Sequence, residues 1–404
     1  MKRSTIQEYL AGLKGKRVAV IGIGVSNTPL IKMLLRAGIK VTACDKRTKE
    51  SFAGQAEELE SLGATLKLGP DYLKNLDFEV IFRTPGMRPD LPELVEALQR
   101  GAILTSEMEV FFQVCPCKIV AVTGSDGKTT TTTIIAELLK AAGQTVYVGG
   151  NIGKPLLPDV DGMEEGDVAV LELSSFQLMT MDRSPDIAVV TNLAPNHLDV
   201  HKSMEEYVDA KKNIFLHQEA DGLLVLNQDN EITRGFAPEA PGHVTFFSRR
   251  QELEKGVFLK DGVIWVRNAM HERPVLPVAD ILLPGDHNVE NYMAAIAALD
   301  GLIPDQVIRE FAAKFTGVEH RIEPAGLVDG VACYNDSKAT NVDATLVALT
   351  AFLPTRPIVL LGGRDKGTDL APLVAACEEN ARAVDCFGEA RERFLAAFAD
   401  SAVS

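Results

Sequence analysis

Cysteine is scarce in this chain, with six in 404 residues. That is too few for a disulfide framework, and Cys115-Pro-Cys117 lacks the two-residue spacer of a redox or zinc pair. The cysteines therefore read as reduced core or surface residues, as in a cytoplasmic protein. Positive charge is also short. Forty-one Lys and Arg stand against 56 Asp and Glu, a net charge of −15. This argues against a nucleic acid or an anionic membrane as partner, but leaves room for local basic pockets around a phosphorylated small molecule. No apolar run approaches the length of a membrane span. Met1 to Lys16 lacks the apolar region of a signal peptide. No repeat or low-complexity segment is visible. The rest of the composition, 46% hydrophobic and 24% charged, is that of an ordinary globular protein, and the length suggests two or three domains.

The most informative stretch begins at Lys118. Ile119 to Val122 is a β-branched run suited to a buried parallel strand. It leads into Gly124-Ser125-Asp126-Gly127-Lys128-Thr129-Thr130, after which Ile134, Ile135, Leu138 and Leu139 recur at helical spacing. The order is strand, glycine turn, helix. Backbone N–H groups at a helix N-terminus cradle phosphate, and glycine lets the backbone approach it. Lys128 would reach the β/γ-phosphates, and the Thr129 hydroxyl would take Mg²⁺. Two residues separate the glycines where the usual P-loop has four, so the loop is a shortened one.

Ahead of it, Arg17 to Asn27 reads as a strand running into Gly22 and Gly24, with a helix near Thr28 to Ala37 and a second strand ending at Asp45. Asn27 stands where a dinucleotide fingerprint needs its third glycine. Asp45 is followed at once by Lys46 and Arg47, basic residues that suit a nucleotide other than NAD. A strand over Phe78 to Arg83 leads to a second glycine turn, Thr84-Pro-Gly86-Met.

After the shortened loop, Val146 to Gly153 is again a strand into a glycine turn. Asp167 to Leu173 is a strand carrying Glu172, an acid placed to ligate the Mg²⁺ that Thr129 also holds. Asp186 to Asn192 is a further strand. His197 and His201 have the i, i+4 spacing of zinc proteases, but no Glu follows the first, and zinc is rejected. His197 is left as a ligand of a second Mg²⁺ or a phosphate contact, and His201 as a structural or solvated residue. Tyr207 to Phe215 reads as helix with Lys211 and Lys212. Trp265 reads as core. Asn288 precedes an Ala-rich helix over Tyr292 to Leu299, placed to cap it or to face an adenine or ribose. Further on, two strand-to-turn junctions carry lysine beside Gly or Asp: Asp336-Ser-Lys338-Ala-Thr340-Asn341 and Gly362-Gly-Arg-Asp-Lys366-Gly. Strands alternating with helices imply parallel sheets, and the polar oddities fall at strand C-terminal ends, where such sheets bind ligands.

Six separated motifs together resemble the Mur ligases. They are Gly124-Ser-Asp-Gly-Lys-Thr129, Gly149-Gly-Asn-Ile-Gly153, Leu171-Glu-Leu-Ser-Ser-Phe-Gln-Leu178, His197-Leu-Asp-Val-His201, His287-Asn288 and Asp336-Ser-Lys-Ala-Thr-Asn341. The versions at 171–178 and 336–341 are most similar to the branch that joins D-glutamate to UDP-N-acetylmuramoyl-L-alanine. The resemblance implies an α/β fold of three domains. These are a Rossmann-like UDP-substrate domain over 1–105, a central P-loop-type parallel-sheet ATPase domain over 106–316, and a smaller Rossmann-like ligase domain over 317–404. It implies an ATP-dependent, ADP-forming amide ligase that works through an acyl phosphate in cytoplasmic peptidoglycan precursor synthesis, with Mg²⁺ and as a monomer.

The resemblance also assigns residues. Gly124 to Thr130 with Asn288, Arg321, Asp336 and Lys338 would bind ATP. Thr129, Glu172, His197 and a carbamylated Lys211 would hold metal, and Lys128, His197 and Lys211 would be catalytic. Ser26, Lys46, Arg47 and Gly86 would hold the uridine diphosphate, Asn151 and Ser174 the muramoyl-alanine part, and Thr340 and Lys366 the incoming D-glutamate. Two departures stand out. Asn196 precedes His197 where Asp is common. The family's closing run, Leu-Ser-Pro-Ala-x-Ala-Ser and then Arg-Gly-x-x-Phe, has no counterpart before Ser404. The expectation from the second is a C-terminal domain short of one strand and helix, with ATP and UDP-substrate binding retained and D-glutamate ligation weak. The alternatives are a related amide ligase such as folylpolyglutamate synthase, or a non-catalytic nucleotide-binding regulator.

Overall fold

The structure, a computed structural model, describes residues 3–194, 201–340, 342–365 and 367–403. The first five strands are β1 (Val18–Ile21), β2 (Val41–Asp45), β3 (Thr65–Leu68), β4 (Val80–Phe82) and β5 (Ile103–Thr105). They form one parallel sheet in the order β3-β2-β1-β4-β5. All four residues of β1 are buried, as the run Val-Ala-Val-Ile requires of a strand covered on both faces. The order in which strands are added switches side between β1 and β4, so the turns after those two strands, at Gly22–Ser26 and Thr84–Met87, share one crevice edge.

The second sheet has nine strands: β6 (Lys118–Thr123), β7 (Val146–Gly150), β8 (Val168–Glu172), β9 (Ile187–Val190), β10 (Leu223–Asn227), β11 (His243–Ser248), β12 (Gly256–Lys260), β13 (Val263–Arg267) and β14 (Glu272–Pro277). Their order is β14-β13-β12-β11-β10-β9-β6-β8-β7, parallel except for the β12-β13-β14 edge. The chain winds from β6 out to β7, back through β8, and then to the far side as β9. The turn after β6 therefore lies at the switch point of the sheet. The helix Lys128–Ala141 follows directly. Its Ile134, Ile135, Leu138 and Leu139 are buried between the sheet and the helix Asp286–Leu299, itself buried over most of its length. Each such side chain contributes roughly 1.5–3 kcal/mol on burial, so the loop ahead of the helix rests on a rigid frame.

One contiguous apolar cluster runs from Val20 in the first sheet and Ile6 in the helix Ile6–Leu13 to Leu171 in the second sheet and Leu156 and Phe236 beside it. The remaining strands, β15 (Glu323–Val328), β16 (Val331–Asn335), β17 (Ile358–Leu361) and β18 (Ala383–Cys386), form an antiparallel and a parallel pair. Their core is small and centres on Leu349, Leu361, Leu373 and Cys377.

Three local expectations are corrected. The Ala-rich helix begins at Asp286 rather than Tyr292, because Gly285 occupies its N-cap position. The lysine-bearing helix runs Met204–Lys212, capped by the Ser203 hydroxyl, and does not reach Phe215. Trp265 is only half-buried, on the antiparallel edge opposite Phe258 and Pro274. Along β13 the buried face belongs to Ile264 and Val266, and Trp265 alternates onto the opposite face.

Candidate active site

The loop after β6 is built from backbone constraints. Gly124 has φ +153 and Gly127 has φ +76. A Cβ on Gly124 would fall 1.9 Å from Thr191 Oγ1, and one on Gly127 would fall 2.4 Å from Asn291 Oδ1. Neither position admits a side chain. Gly127→Ala is expected to lower stability by about 1–2 kcal/mol from the left-handed backbone alone. It should also weaken ATP binding by pushing Asn291 aside; a thermal melt paired with an ATP titration checks both.

Neighbouring strands hold the loop in place. Ser125 N donates to Asn192 O at 2.9 Å, and Asp126 N to Asn192 Oδ1 at 2.9 Å. Thr191 Oγ1 donates to Asp126 O at 2.6 Å. Ser125 Oγ lies 3.0 Å from the Tyr207 hydroxyl. Thr191 and Asn192 follow β9, which pairs with β6, so strand order alone delivers these contacts.

Two lysines meet at one carbonyl. Lys128 Nζ donates to Gly124 O at 3.0 Å and Ser125 O at 2.8 Å. Lys211 Nζ donates to the same Gly124 O at 2.9 Å and to Thr123 Oγ1 at 3.0 Å. It also sits 4.9 Å from the Tyr207 ring centroid. Burial lowers the pKa of Lys128, while Glu172 and Asp126 oppose the shift. For Lys211, 2% exposed, burial and then the charge of Lys128 push the amine well below its usual value. At the end of β8, Glu172 accepts from Thr129 Oγ1 at 2.7 Å and from Asn151 Nδ2 at 2.8 Å. Asn151, Glu172 and Thr129 thus form one hydrogen-bonded chain across three strand ends.

A cavity of about 150 Å³ opens beside this loop. Asp126, Gly127 and Thr130 line one wall, Asn288 and His287 a second, and Arg321 and Asp336 a third. Residues hundreds of positions apart are brought together here. Asn288 does not cap its helix with its side chain. Its Nδ2 donates to Pro284 O at 2.7 Å, and its Oδ1 accepts from Asn291 Nδ2 at 3.1 Å, while Thr131 Oγ1 donates to Asn291 Oδ1 at 3.1 Å. Burial beside Arg321 pushes the His287 imidazole down to about 4. Burial raises Asp336, against a hydrogen bond from Ile322 N at 3.1 Å and the charge of Arg321.

Other candidates lie elsewhere. Lys338 and Thr340 are exposed on the loop after β16 and do not line the cavity. The Ser174 hydroxyl accepts from Gln177 N at 3.3 Å and donates to Gln177 Oε1 at 3.0 Å, capping the short helix Ser175–Leu178. Ser26 opens the helix Asn27–Arg36 without a side-chain cap, and Lys46 and Gly86 are exposed at the ends of β2 and β4. Arg47 is committed. Its Nε and Nη2 each donate to Asp45 at 3.0 Å, and its guanidinium lies 4.2 Å from the Phe52 ring centroid. Burial alone would raise Asp45; the bonds from Arg47 and Ile23 N outweigh it and hold the carboxyl low. His201 is structural: 3% exposed, 2.8 Å from Ser175 Oγ, and stacked on Phe176. His197 and Lys366 lie outside the described residues.

A curated relative from Acetivibrio thermocellus, UDP-N-acetylmuramoylalanine–D-glutamate ligase, is 50% identical over 374 residues, spanning 92% of this chain and 80% of that protein. The chain belongs to the Mur ligase family. The family model for the Mur ligase middle domain matches residues 122–299. A Clostridium perfringens relative of the same name is 46% identical over 400 residues, 98% of this chain and 86% of that one. Two solved Mur ligases share the fold. UDP-N-acetylmuramate–alanine ligase of Thermotoga maritima has a TM-score of 0.58 at 21% identity, covering 95% of this chain and 88% of that one. MurF of Acinetobacter baumannii has a TM-score of 0.60 at 15% identity, covering 96% and 86%. In this Mur ligase, sequence reasoning missed Thr191, Asn192, Tyr207 and Asn291. Only Asn291 left a signal, its i, i+3 spacing from Asn288 on a helix.

Proposed function

We propose that this Mur ligase joins D-glutamate to UDP-N-acetylmuramoyl-L-alanine, using ATP and forming ADP, as cytoplasmic peptidoglycan precursor synthesis requires. The observation that carries the mechanism is the convergence of Lys128, Lys211 and the Thr129–Glu172 pair around the Gly124 turn. A carboxylate is a poor electrophile, so it must first take the γ-phosphoryl group of ATP. The first-turn N–H groups of the helix Lys128–Ala141 face the phosphates, and Lys128 exchanges its carbonyl partners for phosphate oxygens. This neutralises charge as it develops. Asn288, Arg321 and Asp336 hold the nucleotide, with Lys338 closing from the third part of the chain. Asn151 and Ser174 hold the muramoyl-alanine end, and Ser26, Lys46, Arg47 and Gly86 the uridine diphosphate. The D-glutamate amine, held near Thr340 and Lys366, attacks the acyl phosphate carbonyl, loses a proton, and phosphate leaves.

The residues present also fit a divalent cation. Thr129 Oγ1 and Glu172 Oε2 already lie 2.7 Å apart, the hydroxyl–carboxylate pairing that Mg²⁺ takes. Thr129 and Glu172 would hold one ion, with His197 and a carbamylated Lys211 holding a second. Mg²⁺ supplies charge neutralisation at the transferring phosphoryl group. Burial pushes the Lys211 amine well below its usual value, and in its neutral form the amine can add CO₂, losing a proton to become an oxygen anion.

ADP release measured with UDP-N-acetylmuramoyl-L-alanine, with and without D-glutamate, tests the proposal. Release is expected to depend on both. Release that ignores the UDP-substrate would exclude it. The N-terminal sheet is expected to bind UDP more tightly than NAD. The acid that would hold an NAD ribose, Asp45, already accepts from Ile23 N at 2.8 Å and from Arg47. Asn27, in the third-glycine position, donates to Ile21 O at 2.9 Å. A titration with the reverse order of affinity would refute this. Among the described residues no helix is long and apolar enough to cross a membrane.

A further inference from the structure

Arg83 has no part in the chemistry above, yet it is among the most buried side chains in the protein, 1% exposed. A buried guanidinium is costly unless its donors find partners. Here Nη1 and Nη2 find theirs in segments that follow strands of two different sheets, while Nε has none among the described residues. Nη1 donates to Pro85 O at 3.0 Å and Met87 O at 2.9 Å, both in the turn after β4 that contains Gly86. Nη2 donates to Phe176 O at 3.2 Å and Thr180 Oγ1 at 2.6 Å, on and just after the short helix that Ser174 caps.

The guanidinium is a rigid planar fork, so it sets direction as well as distance between the groups it bridges. All four acceptors are neutral. Burial lowers the Arg83 pKa, and the charge of Glu109 opposes the shift. Such a site gains little ion-pair energy, but it specifies geometry. A second tie lies nearby. Arg88, on the same connection, pairs bidentately with Glu206 at 3.0 and 2.7 Å. Glu206 is on the helix that carries Lys211.

We propose that Arg83 is a positioning residue that holds the Gly86 turn and the Ser174 loop in fixed register, so that one elongated UDP-linked substrate can span both. The proposal rests on the reading that Gly86 and Ser174 contact the two ends of that substrate. Arg83 fixes the span between these subsites without touching the nucleotide triphosphate.

Three variants test it: Arg83→Met, which keeps the stem and loses the fork; Arg83→Lys, which keeps charge; and Thr180→Val, which removes one acceptor. Positional losses of about an ångström cost on the order of a hundredfold. Arg83→Met is therefore expected to raise KM for UDP-N-acetylmuramoyl-L-alanine by roughly ten- to a hundredfold, leaving KM for ATP nearly unchanged. Arg83→Lys should recover part of this, and Thr180→Val should show a smaller shift in the same direction. Hydrogen exchange on the ligand-free protein supplies a readout independent of substrate. Amides of 84–90 and 175–181 should lose protection together in Arg83→Met, while 129–141 keep theirs.

Unchanged KM for the UDP-substrate, KM values for both substrates rising together, or loops loosening independently would each overturn the proposal. If Arg83→Met does not fold, Thr180→Val and Arg83→Lys decide by the same criteria. A wild type that does not turn over the UDP-substrate overturns the substrate reading instead, and with it the span that Arg83 is proposed to set.

Discussion

Lys128→Ala is expected to reduce ADP release by on the order of a thousandfold or more, with the fold intact. Two observations support the size of the effect. Lys128 opens the helix that follows the Gly124–Gly127 turn, where phosphate charge must be met. Removing a single preorganised donor from such a site costs about a hundred- to a thousandfold, and here the donor is also a full charge. Stability should change little. Among the described residues the lysine amine bonds to Gly124 O and Ser125 O of its own loop, and Gly124 O keeps its second donor, Lys211. The net loss of about 1 kcal/mol per hydrogen bond is offset in part because a buried cation no longer has to be desolvated. The check is ADP release alongside a thermal melt. Near-normal release from a folded variant would show that the loop does not serve the transferring phosphate.

Lys211→Ala should be equally inactive, for a different reason, and bicarbonate should not rescue it. Carbamate formation needs a neutral amine. Burial, and then the charge of Lys128, push Lys211 well below the usual lysine range, the direction that favours this form. Removing the side chain opens a space beneath Gly124, bounded by Thr123 and Tyr207. Formate or acetate can enter that space and present a carboxylate where the carbamate would stand. Partial recovery of ADP release with rising formate or acetate, but not with chloride at equal ionic strength, is the expected result. Full activity without any additive would exclude the carbamate. A variant that stays inactive under all additives but melts far below the wild type would point to a structural role, since Lys211 is fully enclosed.

The site was legible in the sequence wherever its meaning was local. The β-branched run, the two glycines and the apolar helix behind Lys128 lie within one short stretch, and each is read from spacing alone. Glu172 was legible because an acid ends an otherwise apolar strand. Asn288 is legible as a cap or as an adenine or ribose contact; the cap does not hold, because its helix begins earlier than its alanine-rich part. Arg47 was found as a cation. That its fork is turned onto Asp45 depends on a tertiary contact: Ile23 N donates to the same carboxylate, and Ile23 O accepts from Arg47 Nη2. Thr191, Asn192, Tyr207 and Arg83 gave no signal, since nothing in their own neighbourhoods distinguishes them from ordinary polar residues.

The sequence by itself determined the alternation of strand and helix, the two nucleotide-type turns and the charged groups offered at strand ends. Those properties follow from steric preference and hydrophobic period over a few residues. The tertiary structure alone decided which ends meet. It set β9 beside β6, so that Thr191 and Asn192 fasten the phosphate turn, and it buried Lys211 beneath that turn. It also joined the cavity wall of Asp126 and Gly127 to Arg321 and Asp336, and carried Arg83 across to Phe176 and Thr180. Strand order and domain contact arise from burial summed over the whole chain, and each distant pair adds only a small share of that sum. No short window of residues contains enough of it to be read.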